Sequence, residues 1–342
     1  MRYITAIQNT VSGGPPISTG PGASTQSWMA RTQSLERRHD EPDWHDPTAV
    51  HHMRVLRPAD GIVAFYDGRV EGYRFAEAPN WVDDGALALG IASYAIVDGD
   101  EALIYDTHVS VDHARFVRAA LEAEGVTRFV VLLSHKHLDH IAGTAAFADC
   151  EVIATTQTAQ ALAADRGVIE AGAKAGPPGI DPLVLPTRTF EDHMTLDVGR
   201  LRLELIHVDI HSDDAALIWL PGDRLLLAGD TLEDTVTYLA EPDGLDRHLA
   251  NLERLWDLDP DRILPNHGAP EIIAAGGYPK GLIRATQDYI RLLQRCRDEP
   301  ALRDAPLAEL VADSVQAGWI TYYAPYEAVH RENVAAVTNS AR

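Results

Sequence analysis

Hydrophobic and polar positions change period several times along the chain, and the changes predict alternating strands and helices. From Ile62 onward, IVAFY and RVEGYRF flank Asp67-Gly68, a pair suited to a tight two-residue hairpin, and SYAIV and ALIYD flank a second turn at 98–101. Residues 111–123 carry apolar side chains at helical spacing on one face, and 128–133 is a short run of leucine and β-branched residues fit for a buried strand. A β-α-β step follows from that order. EVIAT then reads as a strand and TQTAQALAADRG as a helix. After them comes a stretch broken by Gly and Pro, 167–186, long enough to wall or cover a pocket. LRLELIHV, AALIWL and RLLLAG follow as strands, the last pair turned by Pro221-Gly222-Asp223, and then 245–258 reads as a helix and RILP as a strand. Beyond His267 the pattern is mostly helical, with 280–297 amphipathic and 307–317 a shorter candidate.

Residues 1–60 behave differently. They are rich in Gly, Pro, Ser, Thr and His, include GGPPISTGPGAST and show no sustained periodicity, which predicts an extended amino-terminal arm. The expected organisation is therefore an arm (1–60), a central α/β domain (61–275) and a helical carboxy-terminal extension (276–342) packing on the core.

Composition narrows the partners. Among 342 residues, 29 Lys+Arg stand against 51 Asp+Glu, a formal net charge of −22, which argues against nucleic acid because that affinity comes from clustered cations. The longest nearly apolar stretch, 86–97, is too short for a bilayer, and the amino terminus has no basic region followed by an apolar core. The expectation is a cytoplasmic protein that meets a small-molecule substrate and no membrane. Cys150 and Cys296 lie far apart and imply neither a disulfide framework nor a zinc finger. An arm and an amphipathic tail helix suit a homodimer and self-packing equally, so both readings stay open.

The chemistry concentrates in SHKHLDH, where His135, His137, Asp139 and His140 directly follow the strand ending at Leu133. Residues two apart in extended chain project to one side, so His135 and His137 can share one metal while Asp139 and His140 turn toward a neighbouring one. Such a pattern arises by chance in a chain this long with a probability on the order of a few in a thousand.

The motif at a strand end resembles the metallo-β-lactamase superfamily, and later residues stand in that family's order over 91–267. His211 in DIHSDDAALIW looks like the third His of the first metal site, Asp230 in LLLAGD like the bridging carboxylate, His267 in LPNHG like the last His, and Asp106 in ALIYD like the acid ending an early strand. The resemblance implies an α/β fold, a four-layer αβ/βα sandwich with its metals at one edge. It implies two Zn²⁺ per chain, with iron or manganese as other divalent occupants: His135, His137 and His211 on the first ion, Asp139, His140 and His267 on the second, and Asp230 between them. Asp106 would accept the free N–H of a ligand histidine and fix its tautomer. The implied function is a hydrolase in which a dizinc-bound hydroxide, oriented by Asp139 and held with the help of Asp230, cleaves a small carbonyl substrate: an ester, lactone, thioester or amide. The alternatives of the same fold are an iron-dependent oxidoreductase of the sulfur dioxygenase type and a small-molecule phosphodiesterase. No G-x-S-x-G signature offers a serine nucleophile instead.

The sequence also departs from the family. Ile210 and Ser212 flank His211 where Gly and Thr are common, and Glu233 stands at the offset where related lactonases place a Tyr, with Tyr238 only a loose substitute. That counts against a homoserine-lactone substrate. His207 reads as a core or surface histidine, His108 as an ordinary loop residue, and Lys136 as pointing away from the metals by alternation. Trp319, Tyr322 and Tyr323 read as tail packing, and no motif names a substrate.

Overall fold

The computed structural model describes residues 50–340, so residues 1–49 of the expected arm lie outside the described residues. Seven strands form the first sheet in sequential order: β1 (Arg54–Ala59), β2 (Ile62–Asp67), β3 (Ile91–Asp98), β4 (Glu101–Tyr105), β5 (Arg128–Leu132), β6 (Glu151–Thr155) and β7 (Arg188–Phe190). Pairing is antiparallel from β1 to β4 and parallel from β4 to β7. The parallel half follows from its crossovers, α1 (Val111–Ala123) between β4 and β5 and α2 (Thr156–Glu170) between β6 and β7.

The second sheet contains β8 (His193–Val198), β9 (Leu201–Ile210), β10 (Ser212–Leu220), β11 (Leu225–Gly229) and β12 (Arg262–Pro265), in spatial order β12-β11-β10-β9-β8. Only the β11–β12 pair is parallel, and α3 (Leu245–Leu258) makes its crossover. Helices α4 (Gly281–Cys296) and α5 (Tyr326–Ser340) extend the outer layer, α4 packing on α3 and α5 on α4.

Side-chain alternation explains the layering. Ile62, Ala64 and Tyr66 of β2 join the core shared with the second sheet, whereas Val63 and Phe65 face Ala114, Val117 and Leu121 of α1. Because helices and a second sheet cover both faces, central strands read as continuous apolar runs. Three buried tyrosines then cross between the sheets: Tyr66 donates to Gly268 O (2.8 Å), Tyr94 to Pro265 O (2.5 Å) and Tyr105 to Ala216 O (2.6 Å).

The structure corrects the first hairpin. Its turn is Asp60-Gly61 between β1 and β2, with Gly61 at φ +71°, not Asp67-Gly68. Asp67 instead ends β2, where its Oδ1 accepts from Gly68 N (2.6 Å) and its Oδ2 meets His113 Nε2 of α1 at 3.1 Å, both side chains fully buried. RVEGYRF consequently runs as irregular chain, and strand β1 occupies part of the segment expected to be an arm. The 307–317 candidate divides into two short helices, Leu307–Leu310 and Ala312–Gln316. β7, β8 and α5 are elements the pattern did not single out.

The tail is clasped by Asp234, whose carboxylate accepts from Thr321 N (2.7 Å), Thr321 Oγ1 (2.5 Å) and Tyr278 OH (2.6 Å). Trp319 and Tyr323 pack against the core, the Tyr323 ring lying 4.1 Å beneath the Arg69 guanidinium, while Tyr322 is exposed. Cys150 and Cys296 are free. Among the described residues, no helix is long and apolar enough to cross a membrane.

Candidate metal centre

Strand ends from both sheets meet at one edge of the sandwich. His135 and His137 follow β5, Asp139 and His140 lie on the single helical turn Leu138–Ile141, His211 joins β9 to β10, Asp230 follows β11 and His267 follows β12. Two of these corners use left-handed backbone at non-glycine residues, Asp106 (φ +65°) after β4 and His211 (φ +66°), conformations that a surrounding structure must hold in place.

All seven residues named from the sequence converge. His137 Nδ1 lies 2.9 Å from His135 Nε2 and 3.0 Å from His211 Nε2. Asp230 Oδ2 sits in the middle, 3.0 Å from His140 Nε2, 3.4 Å from His267 Nε2, 3.7 Å from His135 Nε2 and 3.9 Å from His211 Nε2. Asp139 Oδ2 completes the other side, 3.3 Å from His267 Nε2 and 3.5 Å from His140 Nε2. The donor atoms group as His135–His137–His211 and as Asp139–His140–His267, with Asp230 reaching His135 and His140 across the divide.

The outward atoms explain the inward ones. His140 Nδ1 donates to Asp106 Oδ2 (2.8 Å), His267 Nδ1 to Gly90 O (2.8 Å) and His211 Nδ1 to Tyr238 O (2.9 Å). A neutral imidazole that gives its proton outward turns a bare lone pair inward, as His211 Nε2 does toward His137 Nδ1, whereas the inward nitrogens of His140 and His267 face the carboxylates of Asp230 and Asp139. Asp230 Oδ1 is likewise buried without a hydrogen-bond partner among the described residues. Converging lone pairs and an orphaned carboxylate oxygen fit cations placed between them, and five imidazoles with two carboxylates suit a borderline-soft divalent metal such as zinc.

Electrostatics divides the cluster. Burial pushes the imidazoles of His135 and His137 down, and that of His211 to about 3, favouring neutral ligands on the first side. On the second side burial acts the same way, but the carboxylates around His140 and His267, Asp230 foremost, outweigh it and raise both. Burial opposes ionisation of Asp139 and Asp230 too, yet His140 and His267 hold both carboxyls below the usual carboxylate range.

The other expectations sort plainly. His207 lies on β9 outside the cluster, its Nε2 2.8 Å from Asp213 O. Lys136 turns to Asp213 (2.7 Å), Asp214 (3.2 Å) and Glu241 (3.6 Å), and its stem lines a cavity beside His137 and Asp139. His108 is no ordinary loop residue: it is fully buried, stacked on His113 at 4.6 Å, with its Nδ1 accepting from Val109 N (3.0 Å). Asn266 was missed, and Glu233 and Tyr238 were named only as departures from a family pattern. Asn266 donates its amide to Asp106, beside the His140 bond. Glu233 is buried with Oε1 3.6 Å from His211 Nδ1, and burial together with the Asp230 charge pushes its carboxyl up to about 8. Tyr238 contributes its backbone carbonyl, and its ring packs edge-on to His137 and His211. Asn266 left one sequence signal, its place beside His267.

A family model described as the metallo-beta-lactamase superfamily matches residues 87–267. The chain belongs to this superfamily. Over 240 residues it is 25% identical to a linear primary-alkylsulfatase of Pseudomonas sp. (strain ATCC 19151), covering 57% of this chain and 44% of that protein. Over 143 residues it is 27% identical to a hydroxyacylglutathione hydrolase of Brucella anthropi, covering 41% of this chain and 47% of the relative. The chain thus spans about half the length of the curated relatives it matches. Among solved structures, VMB-1 at pH 5.5 superposes with a TM-score of 0.50 at 15% identity, over 70% of this chain and 97% of that one, a likeness of fold. The two sheets with outer helices are the αβ/βα sandwich of the superfamily.

Proposed function

We propose that this chain is a metal-dependent hydrolase of a small carbonyl substrate, an ester, lactone, thioester or amide. The observation that carries the reading is Asp230 Oδ2 lying within 3.9 Å of Nε2 of four histidines, between two complete donor sets. Zinc ions held by His135, His137 and His211 and by Asp139, His140 and His267 would supply Lewis-acid polarisation of the electrophilic oxygen and the charge that makes water acidic near neutral pH.

The remaining work falls to the chain's own groups. Asp139 is the cluster carboxylate with solvent access, its side chain 19% exposed against 4% for Asp230. It lines the cavity, so its carboxylate can orient water at that face and take its proton. Asp106 and Asn266 hold the His140 ring, and Gly90 O and Tyr238 O hold His267 and His211, so the donor set is oriented before substrate arrives. The names of the two curated relatives, a sulfatase and an acylglutathione hydrolase, support hydrolysis. The charge of −22 supports a small substrate over a nucleic acid.

The test is elemental analysis of protein purified without added metal or chelator, alongside a chromogenic panel of esters, lactones, thioesters, a cephalosporin and a phosphodiester. About two zinc per chain with turnover of one carbonyl class is the expected result. Bound iron with an inert panel would replace the reading by the dioxygenase alternative, and turnover confined to the phosphodiester by the other.

A further inference from the structure

We infer that the cavity beside His137 and Asp139 binds an uncharged, apolar acyl arm of the substrate, an inference that rests on the hydrolase reading for which bond that arm carries. The cavity measures about 500 Å³, within the size range of small-molecule sites. One wall is α2, which presents Ala161, Asp165 and Ile169 at i, i+4 and i+8 with Leu162 beside them. A second wall is Trp81 with Gly85 and Ala86 of the short helical segment Val82–Leu87. That wall is tied down: Trp81 Nε1 donates to Pro178 O (2.9 Å) and Trp81 N to Pro177 O (3.4 Å), joining the segment to the loop that follows α2. His137 and Asp139 also line the cavity, so an arm held there would place its carbonyl beside the candidate metal centre.

Charge decides the class of arm. Two lysines line the cavity, and each already faces carboxylates, Lys174 that of Asp165 and Lys136 those of Asp213, Asp214 and Glu241. An anionic arm would meet neutralised cations together with the carboxylates of Asp139 and Glu332, which also line the space. Between these paired charges the lining is apolar, with Trp81, Ala86, Leu138, Leu162 and Ile169, and gives a polar arm few partners to replace lost water. An alkyl or other uncharged acyl chain gains from leaving water and gives up nothing. Gly85 is exposed at this wall, and a Cβ built there meets no atom within 4 Å, so a larger side chain can be placed there without a clash.

Calorimetric titration of the full chain with 1-butanol, 1-hexanol, 1-octanol and 8-hydroxyoctanoate tests the arm without requiring turnover. Affinity should rise roughly fourfold per methylene. The terminal carboxylate should weaken binding at least tenfold relative to octanol. Gly85→Phe and, independently, Ala161→Trp should each weaken octanol at least tenfold with an intact thermal transition. Affinity independent of chain length, equal binding of the carboxylate, or indifference to both substitutions would overturn the inference. Acetyl and octanoyl esters of one chromophore separate the two readings. Turnover of both with flat alcohol binding overturns the acyl site alone, whereas graded alcohol binding without turnover of any ester, lactone, thioester or amide supports the acyl site and overturns the hydrolase reading.

Discussion

The imidazoles of His140, His211 and His267 are each set by the atom facing away from the centre, and Asp106 does this for His140 while also serving two other donors. Its Oδ1 accepts from Ser134 N (2.6 Å), and its Oδ2 receives both His140 Nδ1 and the Asn266 amide. An amide at this position has one accepting oxygen, so Asp106→Asn leaves a donor facing a donor and frees the ring. Partners of this kind change metal affinity by about 10–100-fold when altered, and competition against a chromophoric chelator should show that loss. His207→Ala, whose ring ends on Asp213 O, should stay close to the unaltered protein; equal losses at the two positions would refute the ligand assignment. Glu241 gives a second residue-level expectation. Burial pushes its carboxyl from 4.5 up to about 7, with Lys136 pulling the other way. The folded state therefore holds this proton more tightly than the unfolded state. Stability from the group is full below about pH 4.5, the free carboxyl value, and is lost as pH rises through 7. Glu241→Gln should flatten that part of the decline in melts taken from pH 4.5 to 7.5, and an unchanged slope would show that the group carries none of it.

At the scale of elements, α1 is anchored at its first turn. Ser110 Oγ accepts from His113 N (3.3 Å) and meets His113 Nδ1 at 2.7 Å, and His113 in turn reaches Asp67 at the end of β2. Ser110→Ala should cost about 1 kcal/mol as a lost cap, read from denaturant unfolding; a cost near zero would mean that the ring, not the hydroxyl, holds the turn. Helices α1 and α3 were legible in the sequence because an apolar stripe at helical spacing leaves little choice of face. Strand β1 was not, since on this edge strand exposed Val55 and Arg57 alternate with half-buried Arg54 and Leu56, where no burial demands an apolar run. β8 escaped for the same reason, being an edge strand with exposed and half-buried positions alternating. The candidate ligands were legible because four of them share one short loop and the rest follow in a known order. What orients them was not: Gly90 O and Tyr238 O are backbone atoms, and backbone acceptors leave no mark in a residue pattern.

Across the whole molecule, the cluster draws its donors from both sheets. His135, His137, Asp139 and His140 come from the end of β5 in the first sheet, and His211, Asp230 and His267 from the second. Ions held there would add a link to the shared core and to the three tyrosine bonds between the sheets. They would also offset the clustered carboxylates of Asp139 and Asp230 in a chain of net charge −22. A ligand that binds only the folded state adds about 2.7 kcal/mol at a hundredfold excess over its dissociation constant. In a domain of this size each kcal/mol moves the midpoint by about 2–4 °C, so chelation should lower Tm by about 5–10 °C and added zinc should restore it. Tyr105→Phe removes a sheet-to-sheet bond that needs no metal, and its loss of about 1 kcal/mol should appear equally in chelated and zinc-loaded protein. If chelated protein, metal-free by elemental analysis, melts where the loaded protein does, the two sheets are held without the ions and the link between them is refuted.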